Sequence, residues 1–212
     1  MTATISPPTA DSLSTIPDQP PAPVGNPTVV GVPLFVVGSV ALGLQQVGFV
    51  SAAAGGAPLA IILAATGLGT LLAAIWAMAL GQSAVAGVFA IFAGFWLSYG
   101  LLLLGLDHNW FALAPADVTD TVELFLIAWL VIIVLLTVGT LRLPLAFTAV
   151  FVLIDLSLLA TLLATVNAST GLAHLGGYLA LAFAAVGAYL FVDACVQTTG
   201  GRALPLGRPV QH

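Results

Sequence analysis

Few residues in this sequence can do chemistry, and their positions restrict which chemistry is open. Asp155 lies near the middle of the apolar run LAFTAVFVLIDLSLLATLLATV, Asp193 lies late in another, and His174 stands at the start of that second run. A charged acid at the centre of a membrane helix costs about 2.5 to 3.5 kcal/mol on insertion scales, so it persists only if neutralised, partnered or hydrated. No Lys or Arg lies inside an apolar run to serve as its partner. Asp155 is therefore expected to face the interior of a helix bundle, and it is the candidate proton relay. The plainer alternative is an Asp that bonds neighbouring helices together. Asp193 is a weaker candidate because it can reach water from the end of its run. Ser39, Thr66, Thr70 and Ser98 are hydroxyls within apolar runs, and they are candidates for binding a small polar solute.

Enzyme chemistry needs more than this, since catalysis requires a nucleophile, a base and an orienting group that converge. The sequence has no H-E-x-x-H, no G-x-S-x-G and no histidine pair at metal-ligand spacing. Its single cysteine, Cys195, makes neither an internal disulfide nor a thiolate metal site. No enzyme activity, cofactor or metal is expected. With 3 basic residues, all arginine, among 212, the chain also lacks a nucleic-acid-binding face and a polybasic lipid anchor. It is 60% hydrophobic and only 5% charged, against about 25% charged in average proteins. That balance defines an integral membrane protein.

The segment GNPTVVGVPLF offers one further device. Asn26 is a favoured N-cap and Pro27 a favoured first helical residue, so the simplest reading is a capped helix start. A helix N-terminus also presents free N–H groups and positive dipole, which suit a carboxylate where no basic residue is at hand. Asn26 and Pro27 are accordingly candidate substrate-binding residues. Pro33 interrupts the pattern and predicts a short helix ahead of the first full span.

These groups must be positioned by membrane helices, each needing roughly 20 residues to cross about 30 Å of hydrocarbon. The apolar runs predict six: Leu34 to Val50, Leu59 to Leu80, Ala84 to Leu106, Val122 to Val138, Leu145 to Val166 and Leu172 to Val196. Runs such as WLVIIVLLTV do not alternate, which excludes a lipid-embedded barrel. The fold class is all-α, a polytopic bundle joined by short connections. Small residues at Gly67, Gly69, Ala73 and Ala74, and at Gly176, Gly177, Ala180 and Ala184, should let helices approach closely. Residues 1–25 are rich in Pro, Ser and Thr and read as a disordered cytoplasmic tail. Residues 26–198 form the helical domain, and 199–212 a short cytoplasmic tail. Arg142, Arg202 and Arg208 fall on one side of a six-span chain together with the N-terminus, which the positive-inside rule makes cytoplasmic. The loop LDHNWFALAPADVTDTVE, with four acids, faces the opposite side.

Six short patterns recur in order along this frame: N-P-x-x-x-G at Asn26 to Gly31, QQVGF at Gln45 to Phe49, FAGFWLSYG at Phe92 to Gly100, GTLR at Gly139 to Arg142, HLGGY at His174 to Tyr178, and GRALPLG at Gly201 to Gly207. Together they resemble the acetate uptake transporter family. The resemblance implies six helices per subunit, a homo-hexamer in the plasma membrane surrounded by lipid, and a solute path through each subunit for acetate and similar monocarboxylates. It also implies that a hydrophobic constriction falls on Phe35, Phe92 and Ile154. Where relatives carry Tyr, Leu and N-P-A-P-L-G-L, this chain has Phe92, Ile154 and NPTVVGV, and Thr70 stands where a relative has a longer amide.

The resulting expectation is a membrane transporter or channel for small carboxylates, with or without proton coupling. Acetate, succinate and ammonium all stay open as substrates. A six-helix channel for neutral amides such as urea, and a non-transporting membrane sensor, are the rival readings.

Overall fold

The computed structural model describes residues 25–51 and 54–211. The tail assigned to residues 1–25 lies outside the described residues except for Gly25. Among the described residues there are six helical spans and no strand: α1 Thr28–Gln46, a π-helical segment Ile61–Gly67 running into α2 Leu68–Ala79, α3 Ser83–Asp107, α4 Asp117–Gly139, α5 Leu145–Val166 and α6 Thr170–Thr198.

Local sequence explains where these elements begin and end. Helix α5 has the limits its apolar run predicts, because Pro144 before it is extended, with φ −50° and ψ 143°. Helix α6 starts at Thr170, earlier than Leu172, since the Ser169 side chain accepts from the Leu172 amide at 3.3 Å. Helix α4 starts at Asp117, well before Val122, because Asp117 and Asp120 lie in its first turn and oppose the positive end of the helix dipole.

Helix α1 corrects an expectation. It runs unbroken through Pro33, so no separate short helix precedes the first span. Near the start of a helix Pro removes one hydrogen bond, whereas unwinding a whole turn in lipid would expose several backbone groups with no water to satisfy them. The second span brings another difference, a stretch of π-helix that hydropathy does not reveal. At the joint between π and α geometry, the Thr70 hydroxyl donates back to the Thr66 and Gly67 carbonyls at 2.6 and 3.1 Å.

The helices pack in cyclic order, each mainly against its two chain neighbours, and α6 closes the ring on α1. The predicted small residues lie in these seams: Gly67, Gly69, Ala73, Ala74, Gly176, Gly177, Ala180 and Ala184 are all buried. At Gly38 of α1 a Cβ would fall 2.3 Å from Thr66 Oγ1, so only glycine permits this approach of α1 to the π segment. The α3–α4 seam is looser and is bridged by large rings: Phe95 against Phe125 and Trp129, and Tyr99 against Phe125, with centroids 5.5 to 5.9 Å apart. Helix α4 is the most peripheral, with only Leu126 and Ile133 buried.

The C-terminal segment is fastened to the bundle end that holds the α4–α5 turn. The Val210 and Gln211 amides donate to the Leu141 carbonyl, and Ala146 N donates to Leu206 O at 2.9 Å. Buried Asp193 accepts from Leu204 N at 2.7 Å and from Gln197 Nε2 at 2.7 Å. Asp193 thus anchors this segment. Arg142, Arg202 and Arg208 gather at the same end.

Candidate functional site

Three cavities lie in file along the ring. Their order follows from the helix positions that line them. At the arginine end, a cavity of about 260 Å³ is bounded by Thr28, Val32, Val88, Phe89, Leu143 and Phe147, near the starts of α1, α3 and α5. In the middle, a cavity of about 30 Å³ is bounded by Phe35, Phe92, Trp96, Ile154, Ser157 and Phe183. At the other end, a cavity of about 330 Å³ is bounded by Gln45, Gln46, Ser51, Tyr99, Thr170 and His174. Phe35 and Phe92 line both the first and the middle cavity, so the file narrows at these two rings.

The predicted constriction residues are therefore brought together. Phe35 and Phe92 have centroids 4.7 Å apart, and Ile154 is buried in the same wall of the middle cavity. The sequence does not reveal that the cluster is larger. Phe183 lies 5.7 Å from Phe35, Phe151 lies 5.7 Å from Phe92 in a near-parallel stack, and Trp96 meets Phe35 edge-on at 6.4 Å. About 30 Å³ is space for a single water-sized molecule. Larger solutes need the rings to turn aside.

The hydroxyl candidates lie elsewhere. Ser39, Thr66, Thr70 and Ser98 line none of the three cavities. Ser39 Oγ donates to Phe35 O at 2.7 Å, Ser98 Oγ to Phe95 O at 3.1 Å, and Thr66 is fully buried against Gly38. A hydroxyl that bonds the carbonyl one turn earlier satisfies itself within its own helix and so is tolerated in an apolar seam. At Asn26 and Pro27, candidates for a carboxylate cradle, the structure shows a local cap. Asn26 Oδ1 accepts from the Thr28 amide at 3.1 Å and from the Thr28 hydroxyl, so the cap is filled by the chain itself, and Pro27 is fully buried.

Asp155 is half-buried in the α4–α5 seam and lines none of the cavities. Its Oδ2 accepts from Thr137 Oγ1 at 2.6 Å, while its buried Oδ1 has no partner among the described residues. The contact ties two helices together, which is the plainer of the two readings of this residue.

The wide cavity supplies groups that residue type alone did not single out. Gln45 Nε2 donates to Gly55 O at 2.9 Å. Gln46 Nε2 donates to Thr161 Oγ1 at 3.2 Å, and its Oε1 is left without a partner among the described residues. His174, at the start of its apolar run in the sequence, stands exposed on this wall in the first turns of α6. The QQVGF and HLGGY patterns were the available signal, since both place polar groups at helix ends.

A ring of six apolar helices long enough to span a bilayer, with cavities in file between them, defines a multi-pass membrane protein. The chain matches the GPR1/FUN34/yaaH family over residues 12–201 and belongs to that family. It is 33% identical over 110 residues to the meiotically up-regulated gene 86 protein of Schizosaccharomyces pombe, a match covering 50% of this chain and 35% of that one. It is 28% identical over 129 residues to the ammonia transport outward protein 2 of Saccharomyces cerevisiae, covering 58% of this chain and 44% of that one. These matches thus take in less than half the length of either relative. Among solved structures, the bacterial acetate channel SatP superposes with a TM-score of 0.77 at 22% identity, covering 87% of this chain and 100% of that one.

Proposed function

We propose that this protein is a channel or transporter for acetate and similar small monocarboxylates. The observation that carries the reading is the file of three cavities interrupted at Phe35 and Phe92. A path through a helix ring needs two mouths and a closure, and an apolar ring of this kind opposes water and ions by dewetting. The acetate named for the bacterial channel SatP favours a small solute of this class, and the ammonia transport named for the yeast relative supports a transport role without favouring a carboxylate.

In this reading Phe35, Phe92 and Ile154 form the closure, and the wide polar cavity is the external mouth. The orientation rests on the three arginines at the opposite end, which the positive-inside rule places in the cytoplasm. The plasma membrane is the proposed location and a homo-hexamer the proposed assembly. The exposed apolar faces of α2 and α4 are available to lipid or to further copies.

The test is uptake of labelled acetate by proteoliposomes with and without a pH gradient. Saturable acetate uptake is expected, and dependence on the gradient would add proton coupling. Urea uptake without acetate uptake would favour a neutral-amide channel. No flux of any small solute would favour a membrane sensor.

A further inference from the structure

We infer that the Trp96 indole N–H donates a hydrogen bond to a carboxyl oxygen of a solute bound at the constriction, which makes Trp96 a specificity-determining residue of the path. The inference rests on the transport reading above.

The argument starts from what a buried indole requires. Tryptophan has one polar atom, a donor, and when the ring is buried that N–H ordinarily finds an acceptor. Trp96 is 1% exposed and is among the largest fully buried side chains. Its Nε1 has no acceptor among the described residues. An unsatisfied buried donor is a standing penalty, so its retention calls for an explanation.

The position of the ring supplies one. Trp96 lines the middle cavity, directly beside the closing rings. Two edge-on contacts hold it, with Phe95 at 5.2 Å and 80° and with Phe35 at 6.4 Å and 69°. The Phe95 contact does not depend on the closing rings, since Phe95 is itself packed on Tyr99, Phe125 and Trp129, so it still supports the indole when Phe35 turns aside. The other polar side chain on this wall, Ser157, already donates to Gly176 O at 2.8 Å. That leaves Trp96 as the uncommitted N–H donor among lining groups that are otherwise apolar. A carboxyl group brings strong acceptor oxygens to such a place, whether it is ionised or protonated. An ammonium ion brings donors alone and gains nothing from the indole.

Two measurements test this. The first compares acetate uptake by wild type and Trp96→Phe, which keeps an aromatic ring and removes the donor. The half-saturating acetate concentration should rise about fivefold to tenfold, with the maximal rate less affected. An unchanged half-saturating concentration would overturn the proposal. A fall in maximal rate alone would also overturn it, because that is what a packing residue gives. Absence of acetate uptake in wild type would be a failure of the transport reading itself. The second needs no Trp96 variant, in case Trp96→Phe does not fold. The indole 15N–1H resonance of Trp96 is assigned by elimination with Trp76→Phe, Trp110→Phe and Trp129→Phe in the full chain. It should move downfield as acetate is added to the wild-type protein. A resonance that stays fixed at acetate concentrations saturating uptake would count against the hydrogen bond.

Discussion

The two end cavities are similar in size and opposite in chemistry. The one beside His174 is walled by two glutamines, a tyrosine, a serine and a threonine, whereas the one at the arginine end has Thr28 as its single polar side chain. A carboxylate entering the first can exchange bound water for side-chain partners. In the second it would lose water and find little in return, a loss that runs to several kcal/mol for an unpaired charge. The difference teaches that the two sides of the Phe35–Phe92 closure treat a solute differently. In the transport reading proposed above, selection belongs to the polar mouth and the constriction, while the apolar chamber favours solutes that carry less charge or stay hydrated across its width.

The strongest way to break this contrast is to remove the closure. Phe92→Ala takes away a ring shared by the middle and arginine-end cavities and should merge them. Acetate uptake by proteoliposomes is expected to rise about tenfold, equivalent to roughly 1.4 kcal/mol off the barrier, and longer monocarboxylates should begin to cross. If rate and substrate range stay unchanged at normal expression, the aromatic cluster is packing and the cavities do not form one path.

A second variant targets the polar end. Gln46→Leu keeps bulk at the wall but removes the Nε2 amide, which gives one N–H to Thr161 and has a second that can donate to a carboxylate, together with the unpartnered Oε1. The half-saturating acetate concentration should rise about fivefold, the value of one net hydrogen bond, with the maximal rate little altered. Concentration-dependent uptake separates the two parameters. An equal loss of both would mean that Gln46 matters for folding of the α1–α6 seam.

How much of this contrast the sequence carried depends on what kind of signal each part leaves. The six spans were legible because lipid imposes long apolar runs, and α5 was legible to the residue because Pro144 and Asn167 punctuate it. The π segment was not, since Ile61 to Gly67 has the same composition whether its carbonyls bond four or five residues on. Phe35, Phe92 and Ile154 were singled out by family resemblance, and the structure brings them together around one cavity; hydropathy alone does not separate such residues from the rest of the core. The hydroxyls misled for a related reason. Ser39 and Thr70 are polar in the sequence, but each is satisfied by its own helix, so polarity did not mean access to the path. Trp96 was overlooked because a tryptophan counts as apolar until its N–H is found without an acceptor.

A third variant sharpens the contrast from the apolar side. Val88 of α3 lines the arginine-end chamber, and Val88→Thr is close to isosteric and keeps the β-branch. Its hydroxyl can donate to the carbonyl one turn earlier, so the helix tolerates it, and turned from that carbonyl it can donate instead to a passing carboxylate. Because the rings at Phe35 and Phe92 still set the barrier, acetate uptake should rise only roughly twofold. A fall in uptake would mean that solutes use the chamber's apolar surface.

The smallest effect is expected at Asp155. Asp155→Asn retains an oxygen able to accept from the Thr137 hydroxyl, which now bonds Oδ2 at 2.6 Å, and it abolishes titration at that position. If the residue serves the α4–α5 seam alone, removing its proton equilibrium should leave the uptake rate within about twofold of wild type, because the helix contact and the cavities are both preserved. The shape of the rate against pH should likewise be unchanged. The comparison is acetate uptake across a pH series for the two proteins, with thermal unfolding as a check on the seam. A flattened pH profile with unchanged stability would instead make Asp155 the proton relay, and would require the carboxyl to communicate with the path through α5, where Ile154 is its immediate neighbour.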